Sequence, residues 1–343
     1  MTTPASNPAG RPVLVTGANG LVGSRLVAQL SRGHRVIAVG RGPAQASLAG
    51  LLQREARAEE QLADAPLLPV GSHAGAVLGA GLRTGVEYVD LDLRLPDALR
   101  DLIEATAPAA VFHAAAATDV DGCERDPVMA WAVNVRAVEA AALGCREAGS
   151  KLVAFSTDYV FDGERGPYSE DDVPNPRGVY ARTKRAGEEA ALLLAPGALV
   201  CRVAVVFSGR PSAKRTFAVS ATEALLAGQQ VRAFQDQLVS PTLADDAAAM
   251  SIGVWDAGAA GVWHCVGGSV VTRVEFCQAL ARKLGADERL IVPTALAEAR
   301  LPAPRPARAG LRVDKVRALL GPSAALPLDQ ALDRFLAERA GRS

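Results

Sequence analysis

Residues 12–30 read PVLVTGANGLVGSRLVAQL. The run Pro12 to Thr16 is short, apolar and β-branched, and it stops at Gly17; from Leu21 the apolar residues recur at helical spacing. A strand, a glycine turn and a helix follow in nineteen letters, with Gly17, Gly20 and Gly23 spaced as G-x-x-G-x-x-G. The first glycine permits a tight turn, the second lets backbone amides approach a pyrophosphate, and the third lets helix pack on strand. The amino end of the helix then faces phosphate charge. Gly17, Asn19, Gly20, Leu21, Val22 and Gly23 are the candidate cofactor-binding residues of this turn.

The alternation continues. Strands are predicted at Arg35 to Val39, Glu87 to Leu91, Ala110 to His113, Leu152 to Ser156 and Leu199 to Val206, with helical patterns at Asp97 to Thr106, Val128 to Glu147 and Val179 to Leu194. Strands alternating with helices imply right-handed βαβ units and a mostly parallel, doubly wound sheet covered on both faces, a Rossmann-type α/β fold. After Phe207 the rhythm changes: a helix near Ser212 to Ala227, extended pieces at Val231 to Phe234 and Leu238 to Thr242, and a strand near Gly261 to Val266. We therefore expect a disordered lead-in over 1–11, a dinucleotide-binding Rossmann domain over 12–206, and a smaller α+β substrate-binding part over 207–343, with 241–266 returning to the sheet. An insertion at 42–85, carrying a predicted helix from Ser47 to Ala63, reads either as a tolerated surface excursion or as an active-site lid.

Composition narrows the function. The 37 Lys+Arg balance 37 Asp+Glu, so no global positive field favours nucleic acid. The longest apolar stretches fall short of the ~20 residues of a bilayer span, and the first residues lack a signal-peptide core. Five scattered cysteines without a C-x-x-C pair suggest neither zinc nor a disulfide framework and point to a reducing cytoplasm. No metal site, nucleic-acid partner or membrane partner is expected; a homodimer is allowed but not specified.

Three further clusters carry chemistry. The second strand ends in Gly40 and Arg41. An acidic residue there would bond the adenosine ribose, whereas Gly40 leaves room for a 2′-phosphate and Arg41 offers it a partner, which favours NADPH over NADH. Asp92 and Leu93 close the next strand, where a carboxylate either accepts from the adenine amino group or caps the following helix. Tyr180 and Lys184 stand four residues apart on one helix face, after a strand ending in Ser156 and Thr157. That order supplies what carbonyl reduction needs: a phenol to give a proton, an ammonium to stabilise the phenolate, and a hydroxyl to bond the growing oxyanion.

With these residues in view, the chain resembles the extended short-chain dehydrogenase/reductases, and within them the dTDP-4-dehydrorhamnose reductase family. The resemblance runs from about Pro12 to Phe335 and is carried by HAAAATDVDGCERDP (113–127), STDYVFDG (156–163), PYSEDDVPNPRGVYARTKRAGEE (167–189), DQLVSPT (236–242) and the PRP of 304–306. It implies that Thr157 polarises the carbonyl, that Tyr180 is the acid with Lys184 its partner, and that Tyr180 and Lys184 also touch the cofactor. It further implies that Ala114, Ala115 and Ala116 line the cofactor, and that Thr118, Val120, Thr157 and Tyr159 sit beside the sugar. Asn134 matches a position that supports an active-site water chain, or is a buried helix asparagine.

The chain departs from the family where a tryptophan of an RTSWVY-like strand is replaced by Val205 in RVAVVF, and where Asp119 adds charge. The implied function is NADPH-dependent reduction of the 4-keto group of a nucleotide-linked 6-deoxysugar, with Arg215, Arg232 and Arg305 as candidate nucleotide contacts. Two alternatives stay open: a non-catalytic NADP-binding subunit similar to the methionine adenosyltransferase beta subunit, and a reductase of a non-nucleotide ketone.

Overall fold

A computed structural model describes residues 10–44, 77–78, 85–212 and 215–341. Residues 1–9 of the lead-in expected over 1–11 and the predicted helix Ser47 to Ala63 lie outside the described residues; Arg11, at the end of that lead-in, is held by hydrogen bonds. Among those described, eight strands form one sheet in the order β12-β7-β6-β5-β1-β2-β4-β3. They are β1 (Val13–Thr16), β2 (Val36–Gly40), β3 (Val77–Leu78), β4 (Val86–Asp90), β5 (Ala110–His113), β6 (Lys151–Thr157), β7 (Leu199–Val203) and β12 (Gly261–His264). All neighbours pair in parallel except β3, which runs antiparallel to β4. Seven parallel strands flanked by helices make this the Rossmann-type fold that the alternation implies.

The period of two along each strand decides which face each residue serves. Val13, Val15, Val36, Ala38 and Phe112 pack on one face with Leu26 and Val27 of α1 (Leu21–Leu30) and with Trp255. Leu14, Ile37, Val39, Val111 and Leu152 pack on the other with Leu99 and Ile103 of α2 (Pro96–Thr106). A helical stretch follows β5: α3 (Val120–Arg125), α4 (Pro127–Trp131), a π-helical turn at Ala132–Arg136, and α5 (Ala137–Ala148). The run Pro127–Ala148 is long and apolar enough to cross a bilayer by length and composition, so the expectation that every apolar stretch is too short is corrected. Ala137, Ala141 and Cys145 are nevertheless fully buried, as in a core helix of a folded sheet protein. Arg11 binds the carbonyls of Ala107, Pro108 and Ala148 at 2.6, 2.8 and 2.9 Å, placing a cation on orphan carbonyls at the ends of α2 and α5.

α6 (Gly178–Leu194) crosses from β6 to β7. The predicted strand Leu199 to Val206 is interrupted: β7 ends at Val203, and β8 (Val206–Phe207) pairs instead with β11 (Thr242–Leu243). Val205, at the break, has φ +42°, a conformation that a β-branched residue adopts only under strain. The extended piece Leu238 to Thr242 is likewise two short strands, β10 (Leu238–Val239) and β11, with β10 antiparallel to β13 (Val271–Thr272).

α7 (Phe217–Leu226), β9 (Val231–Phe234), α9 (Arg273–Leu284), β14 (Ile291–Thr294) and α11 (Leu328–Arg339) surround a third apolar cluster of Phe207, Phe276, Leu280, Ile291, Leu332 and Phe335. Between them, α8 (Ala244–Asp256) packs on α1, β12 rejoins the sheet beside β7, and α10 (Asp314–Leu320) packs on α8.

Candidate active site

The carboxyl ends of β1, β5 and β6 lie side by side on one edge of the sheet, the edge beyond which open parallel sheets hold ligands. Two glycines of the turn after β1, Gly17 and Gly23, admit no side chain. Gly17 has φ +69°, and a Cβ there would stand 2.7 Å from the Ala115 nitrogen; one at Gly23 would stand 2.0 Å from the Gly17 oxygen. Ala114 and Ala115 thus lie directly against the turn, and Ala114, Ala115 and Ala116 are all half-buried after β5. Ala115 also donates to the Thr16 hydroxyl at 3.3 Å. Gly20, Leu21 and Val22 open α1, whose cap at Gly20 makes no side-chain bond, so the first amides of the helix stay available for an anion. This cradle fits a dinucleotide pyrophosphate.

The β2 exit differs from the expectation in one respect. The space at Gly40 is not open: a Cβ there would meet the Tyr88 hydroxyl at 2.3 Å and the Asn19 Nδ2 at 3.0 Å. Arg41 is exposed at this exit. Asp92, after β4, receives the Arg94 guanidinium through Nε at 3.0 and 2.9 Å, and this bond, ahead of the nearby Arg41 charge, holds its carboxyl below the usual range. Asp92 does not cap α2, whose cap is Leu95. Leu93 packs its side chain against the sheet's second apolar cluster.

β6 ends in Thr157, and Thr157 to Tyr159 turn the chain into a short 3-10 segment. The Thr157 hydroxyl donates to Asp158 Oδ1 at 2.9 Å, accepts from the Tyr159 amide at 3.2 Å, and lies in hydrogen-bonding reach of the Tyr180 phenol. Tyr180 sits in the first turn of α6 with its ring edge-on to Tyr159, centroids 5.8 Å apart. Burial pushes the Tyr180 phenol up, and the Thr157 bond partly opposes this.

Lys184, one turn further, is buried and donates to the Phe155 carbonyl at 2.6 Å. Burial pulls its ammonium down to about 8, against the opposing pull of the Glu188 carboxylate. His113, at the end of β5, meets the Thr16 hydroxyl at 3.1 Å through Nδ1; burial and then the Lys184 charge bring it down to about 3, so it is neutral. Asn134, in the π-helical turn, accepts from the Ala117 amide at 2.9 Å and donates to the Ala117 carbonyl at 3.2 Å and the Thr183 hydroxyl at 3.1 Å. It fixes the loop that carries Thr118 and Val120 to the helix that carries Tyr180. Thr118 is exposed and Val120 half-buried at the head of α3.

Three residues here escaped the sequence reading. Asp158 is buried, its Oδ2 has no hydrogen-bond partner, and burial raises its carboxyl to about 7, the Thr157 bond and the Arg273 charge opposing. Arg273, at the start of α9, lies with its guanidinium 5.0 Å over the Phe217 ring and 3.4 Å from Gln237 Oε1. Gln237 is buried and donates to the Pro306 carbonyl at 3.4 Å. The DQLVSPT motif signalled Gln237; nothing local signalled Arg273. Of the three candidate nucleotide arginines, Arg305 reaches the site, pairing with Asp121 at 2.9 Å near Tyr159. Arg215 pairs instead with Glu223 on α7, and Arg232 is exposed on β9.

The family described as RmlD substrate binding domain matches residues 11–340. A probable low-salt glycan biosynthesis reductase of Haloferax volcanii is 33% identical over 311 residues, 90% of this chain and 91% of that protein. A dTDP-4-dehydrorhamnose reductase of Mycobacterium tuberculosis is 40% identical over 202 residues, 57% of this chain and 66% of that protein. Among solved structures, a hypothetical dTDP-4-dehydrorhamnose reductase of Sulfolobus tokodaii superposes with a TM-score of 0.72 at 27% identity, covering 93% of this chain and 98% of that one.

Proposed function

The chain belongs to the RmlD substrate binding domain family, and from that premise we propose that it is an NADPH-dependent reductase of the 4-keto group of a nucleotide-linked 6-deoxysugar. One observation carries the reading: the Thr157 hydroxyl, the Tyr180 phenol and the Lys184 ammonium gather at the carboxyl edge of β6, on the edge where the glycine turn opens. The same gathering favours an enzyme over a dinucleotide-binding subunit without chemistry, which has no use for a buried ammonium beside a phenol.

NADPH, held by the turn Gly17 to Gly23, by Ala114 to Ala116 and by Arg41, with Asp92 and Leu93 beside the adenine, would supply a hydride at this edge of the sheet. Thr157 turns its one hydroxyl proton from Asp158 to the carbonyl oxygen as negative charge grows there. Tyr180 passes its phenolic proton to that oxygen, and the Lys184 charge stabilises the phenolate left behind. Its burial matters because an ammonium in a low-dielectric setting acts on the phenolate more strongly than one in water. Thr118, Val120 and Tyr159 flank the sugar, the unpartnered Asp158 oxygen accepts from one of its hydroxyls, and Arg273 and Arg305 supply charge for the diphosphate. In this division residues 12–206 bind the dinucleotide and residues 207–343 contribute mainly to the sugar nucleotide. Five free, buried cysteines support a cytoplasmic location.

The test is NADPH oxidation against a panel of nucleotide-linked 4-ketosugars. Turnover is expected with at least one, and Tyr180→Phe is expected to lower it about 10²- to 10⁴-fold with NADPH affinity largely intact. Reduction of a nucleotide-free ketone alone would reject the sugar assignment, and full turnover in Tyr180→Phe would reject the proton donor.

A further inference from the structure

The exit of β2 is fastened at both polar groups of one residue. The Gly42 amide donates to Asp90 Oδ1 at 2.7 Å, and the Gly42 carbonyl accepts from the Tyr88 hydroxyl at 2.8 Å. The same Tyr88 oxygen accepts from Asn19 Nδ2 at 2.8 Å, and Asn19 belongs to the glycine turn. One phenol oxygen therefore joins the two loops between which a dinucleotide's adenosine ribose lies in folds of this class. The Tyr88 ring is 5% exposed, among the apolar residues of β4 and β2, so the hydroxyl is held by packing as well as by its bonds.

The contact at Gly40 gives this arrangement a chemical meaning. A side chain at position 40 cannot coexist with the hydroxyl, since its first carbon would stand 2.3 Å away. A carboxylate at the end of this strand is the group that accepts from a ribose 2′-hydroxyl and repels a 2′-phosphate. The phenol thus occupies the volume that an NAD-selecting carboxylate would need. It also holds the Gly42 carbonyl, while Asp90 holds the Gly42 amide and the Leu91 amide holds the Gly40 carbonyl, so the backbone is fastened on both sides of the exposed Arg41.

We propose that Tyr88 is a specificity-determining residue for the dinucleotide: its hydroxyl fills the space beside Gly40 and holds the Gly42 carbonyl so that Arg41 meets an adenosine 2′-phosphate. The inference rests on the reading of Arg41 as the phosphate partner. Tyr88 acts through Asn19 and Gly42 and is a positioning residue, so the readout is the ratio of two affinities rather than turnover.

Dissociation constants for NADPH and NADH are measured by calorimetry with the wild-type chain, Tyr88→Phe and Arg41→Ala. Tyr88→Phe keeps the ring and is expected to weaken NADPH about fivefold or more while NADH changes by less than about twofold. Equal weakening of both, or of neither, overturns the proposal. An unchanged ratio in Arg41→Ala sinks the phosphate reading beneath it; a ratio that collapses in Arg41→Ala and survives in Tyr88→Phe sinks the role of Tyr88 alone. Should Tyr88→Phe fail to fold, Gly40→Ala, whose methyl displaces the hydroxyl, carries the same expected loss and the same overturning results.

Discussion

Asp158 holds a carboxyl raised from 3.8 to about 7 by burial, and a raised acid makes stability fall as pH rises. Below about pH 4 both folded and unfolded forms carry the proton. Between about 4 and about 7 the unfolded chain has lost it while the folded chain still holds it, so stability is lost over that window and stays lost above it. Asp158→Asn removes the buried charge and is expected to raise stability by about 1–3 kcal/mol at pH 8 and by much less at pH 4. Thermal unfolding at the two pH values checks this; an equal shift at both would assign the effect to packing. The strand ending in Ser156 and Thr157 made the position of Thr157 at the end of β6 legible, whereas Tyr159 was named through the resemblance alone. The unpartnered oxygen of Asp158 was not legible, since it arises from how deeply the 3-10 turn is buried. Gly40 was misread as open room because a sequence shows which side chain is missing and not which distant one has filled the gap.

At the scale of elements, α6 carries Tyr180 and Lys184 and is anchored by an ion pair whose carboxylate also acts on the Lys184 ammonium. Glu188, one turn beyond Lys184, receives Arg202 of β7 through two bonds of 2.8 Å, both residues buried, with Arg185 adding a third at 2.9 Å. The Arg202 guanidinium also lies 5.0 Å over the Phe161 ring. Removing one partner of such a pair leaves a charge stranded in the interior. Arg202→Met is expected to destabilise the chain by about 3–5 kcal/mol, and the double variant with Glu188→Gln to recover part of that loss. Urea denaturation midpoints measure both; no recovery in the double variant would show that Arg202 matters for its packing rather than for its charge. The strand and helix alternation up to Val203 was legible because each element's apolar period matches the face it buries. The break at Ala204 and Val205 was not, because VAVVF is uniformly apolar and the change of partner from β6 to β11 is a tertiary choice.

For the whole molecule, Phe335 of α11 ties the carboxyl-terminal helix into the third apolar cluster. It is fully buried, and its ring is edge-on to Phe207 with centroids 5.5 Å apart. Phe335→Ala is expected to cost about 3–5 kcal/mol and to expose the cluster to limited proteolysis before the sheet is attacked. Simultaneous loss of all regions would instead make the molecule one cooperative unit. The order of the strands has its own consequence for how the chain is made. The sheet is left at Val203 and rejoined only at Gly261, after α7, β9 and α8 have been laid down. A growing chain that has emerged only as far as β7 presents that strand as a bare edge, open to pairing with another nascent chain. Synthesis must therefore run past His264 before β7 gains β12 as its neighbour, and a chain cut short at residue 206 should aggregate rather than fold as a smaller protein.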